Sequence, residues 1–136
     1  MRALTVIVLF LLLAPAGALA ESWVEVGADP EAKYYVDVDS ITLVKENLRI
    51  TKRGVYTRVL TENLGGKPTV FKETRGIIEL DCALRVNRVI RIEMLDPEGE
   101  MAWSCGDMPR QLWLGVKLNS HAEATLEEAC ARFHRT

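Results

Sequence analysis

Along most of the chain, apolar and polar positions alternate with a period of two, the spacing that places successive side chains on opposite faces of a strand. Ser22-Trp23-Val24-Glu25-Val26 opens the pattern, and residues 27–32, with Asp29-Pro30 among them, read as a turn. A second strand is expected over 33–38. The short polar side chains of Asp37-Val38-Asp39-Ser40-Ile41 can bond their own backbone, which predicts a local turn here, with room for a single helical turn. A long strand follows over 47–60. Leu48, Ile50 and Tyr56 share one parity and Val55 and Val59 the other, so a bulge is expected at Gly54. Asn63-Leu64-Gly65-Gly66-Lys67-Pro68 is a turn, and it predicts a hairpin between this strand and the one starting at Thr69.

The next stretch fixes facing. Gly76, Ile78, Leu80 and Cys82 fall on one face, with Arg75, Ile77, Glu79 and Asp81 on the other. In residues 89–94 the alternation returns, with Ile90, Ile92 and Met94 expected inward. Asp96-Pro97-Glu98-Gly99 is a turn, 100–105 a short strand, and 106–119 a long connection containing Trp113. The period then changes. Ser120-His121-Ala122-Glu123 fits a capping box, and Leu126, Ala129, Cys130 and Phe133 recur at spacings of three and four, so a helix is expected to about residue 133 with Cys130 on its apolar stripe.

Residues 1–20 do not belong to this pattern. Arg2, an apolar run over 3–14 and the small residues of Ala18-Leu19-Ala20 have the layout of a secretory signal peptide, cleaved before Glu21. Pro15 and Gly17 interrupt the run short of the roughly 20 apolar residues of a membrane span. No cysteine adjoins the expected cleavage site to carry a lipid. The chain is therefore expected to be exported, to the periplasm first and to the cell surface or medium as alternatives, with no stable membrane insertion after cleavage.

Removing 20 residues from 136 leaves 116 (21–136), enough for one domain with a single core. Of 17 basic residues only Arg2 is lost, so 16 face 19 acidic ones, a net charge of −3 with both histidines neutral. That balance excludes nucleic acid as a partner, because phosphate binding rests on a basic excess. Three cysteines in an oxidising compartment, Cys82, Cys105 and Cys130, allow one bridge with one thiol left over.

In order and spacing, Trp23-Val24-Glu25-Val26-Gly27, Tyr34-Tyr35-Val36-Asp37, Asp39-Ser40-Ile41, Gly65-Gly66-Lys67-Pro68, Glu79-Leu80-Asp81-Cys82 and Ala129-Cys130 resemble the bacterial surface-adhesin protein E family, over nearly all of 22–131. The resemblance implies an α+β fold: a curved antiparallel sheet of about six strands with the C-terminal helix held on one face by a disulfide. It also implies binding to a host matrix or serum protein. Cys82 and Cys130, each on an apolar face, are the cysteines such a bridge would join. The chain departs from the family in lacking the lipid-bearing cysteine and in adding Cys105, which is read as a free thiol.

Catalytic and cofactor patterns are thin. His121 and His134 lie about 13 positions apart on one helix, roughly 20 Å, and cannot share an ion. Asp37, Asp39 and Glu46 read as turn formers rather than an oxygen site for a cation. There is no nucleophile elbow, phosphate loop or His-Glu-x-x-His. Glu79 and Asp81 could act as paired carboxylates, but with Arg75, Arg91 and Glu93 on the same face a solvated charge ladder is expected instead. The chain is thus expected to be a non-enzymatic binding module without metal or cofactor. Its partner would be a protein, of the extracellular matrix or of the bacterial envelope, met through the basic strand around Arg49 and Arg53 and an exposed tryptophan, Trp103. An envelope-associated or inhibitor protein is the alternative, and a small hydrolase built on Glu79 and Asp81 the remote one. No pattern in the chain specifies an oligomeric state.

Overall fold

In a computed structural model of the chain, residues 21–108 and 112–134 are described. The expected signal peptide and its cleavage site lie outside them. The period-two segments form strands β1 (Trp23–Ala28), β2 (Ala32–Val44), β3 (Asn47–Leu64), β4 (Lys67–Asp81), β5 (Val86–Leu95) and β6 (Met101–Ser104). They pair antiparallel in chain order, and a two-residue strand β7 (Leu114–Gly115) joins the far end of β5. The fold is a curved, open antiparallel sheet with one helix, α1 (His121–Phe133), as the resemblance implied.

Gly65 and Gly66 close the β3–β4 hairpin with φ of 60° and 81°, the paired left-handed conformation that a two-residue loop matched to strand twist requires. Three local expectations change. No helical turn forms at 37–41; β2 runs on to Val44 with a register shift between Asp37 and Thr42, because Ser40 Oγ donates to Asp37 O and accepts from Thr51 N, so the side chain takes the place of a ladder bond. No bulge forms at Gly54. It pairs in register with Tyr34 and Thr74, and the irregularity comes later, between Val55 and Leu60. A Cβ on Gly54 would come within 3.3 Å of the Tyr34 ring, so the glycine makes room for an aromatic. Finally, the β4–β5 register shifts between Ile77 and Ile78, so Val89 takes the inward position opposite Ile78, and Ile90 lines a recess on the other face with Glu79 and Arg88.

Val36, Leu48, Ile50, Ile78 and Leu80 form the core under Leu126 and Ala129 of α1. Each fully buried aliphatic side chain contributes about 1.5–3 kcal/mol, so this contact holds a helix of 13 residues that would be marginal alone. The Cys82–Cys130 disulfide ties the C-terminal half of α1 to the end of β4, and Cys105 is free. Ser120 caps the helix, its Oγ accepting from Glu123 N. The glutamate of the expected capping box reaches one residue further back and accepts from Asn119 N at 2.7 Å. Ser120→Ala is expected to cost about 1 kcal/mol in a denaturant titration, the usual worth of such a cap.

Candidate binding surfaces

The helix lies over β1, β2 and the start of β3. It leaves two surfaces open: the part of the outer face away from Trp113, which lies against Arg88, and the part of the inner face formed by β3, β4 and β5.

On the outer face, cross-strand partners Tyr35, Arg53, Arg75 and Glu93 form a row. Arg53 and Arg75 stand directly opposite each other, a like-charge pairing that costs stability unless something offsets it. Trp23 does so in part. The Arg53 guanidinium lies 4.4 Å from the Trp23 ring and 4.9 Å from Tyr35, and Arg75 lies 6.0 Å from Trp23. Arg75 also pairs with Glu73 at 2.7 Å and Glu21 at 3.8 Å, and the Glu73 hydrogen bond holds its guanidinium still more firmly protonated than usual, against the effect of burial. Arg53 pairs with no carboxylate among the described residues, and its Nε is buried without a hydrogen-bond partner.

Further along the same face, Glu79 is buried and held from both sides, by Arg49 Nη2 at 2.6 Å and Arg88 Nε at 2.7 Å. Burial pushes its pKa up, but the hydrogen bonds and charges of the two arginines outweigh it and hold the carboxyl below the usual range. Glu79 is therefore an ionised structural anion and no rung of a solvated ladder. Asp81 is spent on the β4–β5 turn, where Oδ1 accepts from Leu84 N. Glu79 and Asp81 thus serve separate structural tasks. Arg88 also lies 4.7 Å from the Trp113 ring.

The inner face carries a groove of about 470 Å³ beside the start of α1. Its polar wall is formed by Tyr34, Lys52 and His121. Tyr34 donates its OH to Asp29 at 3.0 Å, its ring stacks on His121 at 3.9 Å, and Lys52 Nζ bonds His121 Nδ1. Burial lowers the Lys52 pKa to about 8. Burial and the Lys52 charge lower that of His121, against the pull of Asp29, so the imidazole is neutral and Nδ1 accepts from the ammonium. Burial, with the Asp29 hydrogen bond, raises Tyr34 to about 12. The opposite wall is apolar: Ile78, Val89, Ile92 and Met94.

The residues read from the sequence as partner contacts divide between these surfaces. Arg49 and Arg53 are on the outer face, Arg49 engaged by Glu79 and Arg53 by aromatic rings. Trp103 is half-buried on β6 opposite Met94, and so belongs to the inner face. Asp37 and Asp39 accept from Ser22 and tie down the start of β1. Sequence reasoning missed Tyr34, Lys52, Gly76 and His121 as one site. The signal available was Gly76, a glycine inside a strand with no turn near it.

The sequence matches the family model of surface-adhesin protein E over residues 23–131. By structure it is similar to a crystal form of Haemophilus influenzae protein E, with a TM-score of 0.65 and 16% identity over 90% of this chain and 97% of that one. A second structure of the same protein gives 0.62 and 15%, covering 91% and 95%. Protein E from non-typeable Haemophilus influenzae gives 0.62 and 14%, covering 91% and 85%. No curated protein matches the sequence.

Proposed function

This chain belongs to the surface-adhesin protein E family, and from that premise we propose that it is an exported, non-enzymatic binding module whose outer sheet face engages an acidic surface of a host matrix or serum protein. The observation that carries the proposal is Arg53. Its charge is unspent, it is stacked between Trp23 and Tyr35, and it faces a second arginine across the strand pair. Aromatic residues and arginine are the side chains that most often anchor protein interfaces, and a carboxylate from a partner would relieve the like-charge cost at Arg53 and Arg75. Arg49 adds positive charge to the same face. Trp103 contacts the partner only if it wraps the β6 edge. An envelope component of the bacterium itself is the alternative partner.

Arg53→Glu is expected to weaken binding to the partner at least about tenfold, chiefly through faster dissociation, since reversing a charge that anchors the contact leaves the partner's carboxylate facing a like charge. The measurement is surface plasmon resonance of the mature domain over immobilised matrix and serum proteins and over envelope extract. Binding confined to the envelope extract selects the alternative. Unchanged binding by Arg53→Glu, or turnover in a hydrolase screen that Glu79→Gln abolishes, overturns the reading. Cell fractionation tests the export that it requires.

A further inference from the structure

Gly76 has no packing reason to be glycine. Its φ lies outside the left-handed region, and a Cβ built on it would meet nothing nearer than Arg91 O at 3.5 Å. A glycine inside a strand weakens it, and is retained where something must come close to the backbone. Gly76 sits between Lys52 and Ile92 on the inner face, in register with both, and lines the groove. The missing side chain leaves a dent in the middle of the sheet. Lys52 borders this dent as a half-buried residue, its ammonium partly desolvated, bonded to His121 and paired with no carboxylate among the described residues. A desolvated cation without an anion is costly. An ammonium has three donors, and His121 uses one.

From this geometry we propose that the inner-face groove is a binding site for a small amphiphilic anion, an acyl chain or other apolar body with one acid group. The acid group accepts from Lys52 beside His121. The apolar body lies over Gly76 against Ile78, Ile92 and Met94. No carboxylate lines the groove among the described residues; Asp29 stands behind Tyr34, which donates to it. The volume, about 470 Å³, falls within the range of about 300–1,000 Å³ usual for small-molecule sites. A peptide adding as a strand is excluded by position: β4, which forms the floor, is paired on both sides, so its backbone groups are already used. The groove opens on the inner face; Arg53 and Arg75 of the surface proposed above also line it, and the contacts proposed here are those of Lys52 and the apolar floor around Gly76.

Dodecanoate is the probe, titrated into the mature domain with backbone amide shifts as readout, alongside dodecanol and dodecyltrimethylammonium. Dodecanoate is expected to bind well below about 1 mM, shifting Gly76, Ile92, Met94 and His121. Lys52→Met is expected to weaken dodecanoate about tenfold, the worth of one charge-assisted hydrogen bond, and to leave dodecanol unchanged. Gly76→Leu is expected to abolish binding of both by filling the dent; should it unfold the domain, Gly76→Ala, expected to weaken both, takes its place. The proposal is overturned if dodecanoate gives no shifts near Gly76 at about 1 mM, if the cationic analogue binds as tightly, or if the folded glycine variant binds as the parent does.

Discussion

Replacement of Cys130 by serine is expected to lower the unfolding free energy by about 2–5 kcal/mol and to loosen α1 before the sheet. The bridge closes a loop with a sequence separation of 48, for which the chain-entropy relation gives about 4 kcal/mol. The location makes the loss local. Leu126 and Ala129 are the helix residues buried in the core, and 13 residues of helix have little stability of their own. Amide exchange should therefore accelerate across 121–133, while Leu48, Ile50 and Leu80 keep their protection. Reduction of the parent protein should reproduce the shift, and Cys105→Ser should not, since that thiol makes only hydrogen bonds with Ile92 and Gly106. A denaturant titration of the four forms checks this. A loss for Cys105→Ser equal to that for Cys130→Ser would transfer the crosslink to another pair.

The second large effect is expected from Glu79→Gln, about 2–3 kcal/mol. Removing one partner from a fully buried ion pair costs about 3–5 kcal/mol, because the other charge is left without compensation. Here Arg49 and Arg88 are 40% and 28% exposed, so water takes up part of what the glutamate neutralised, and the expectation is reduced accordingly. The pH dependence has a definite sign. Glu79 is held below its unfolded-state value, so the unfolded chain takes up the proton first as pH falls. Its contribution is complete above the unfolded value, about 4.3 for a glutamate, and is lost as pH falls through the folded value. The stability gap between parent and Glu79→Gln should be flat near neutrality and close in acid. A gap that stays constant to low pH would mean that the variant lost packing rather than charge.

Both effects depend on residues whose facing could be read from strand or helix periodicity, yet only one could be anticipated. Cys82 and Cys130 lie on apolar faces by counting alone. Glu79 was placed on the correct face and given the wrong environment, since strand periodicity says which side a residue points to and not how much of that side water reaches. Its burial comes from two arginines, one on each neighbouring strand, closing over it. Ile90 shows the limit in another form. Alternation assigns it inward, but a one-residue slip against β4 exchanges it with Val89, and such a slip is a property of the pair of strands.

Local chemistry in the sequence determined the strand and helix order, the Gly65-Gly66 hairpin, the helix start at Ser120 and the apolar faces, because each depends on residues within a few positions of one another. The turn expected at 37–41 and the bulge expected at Gly54 failed because their outcomes depend on partners from other strands, Thr51 for the first and Tyr34 for the second. Tertiary structure alone decided the two open surfaces. Arg53 meets Trp23 across two strands, Lys52 meets His121 across 69 positions, and Gly76 is a dent only because Lys52 and Ile92 flank it. Contacts between residues this far apart are set by register and by where the helix lands, which no local pattern encodes.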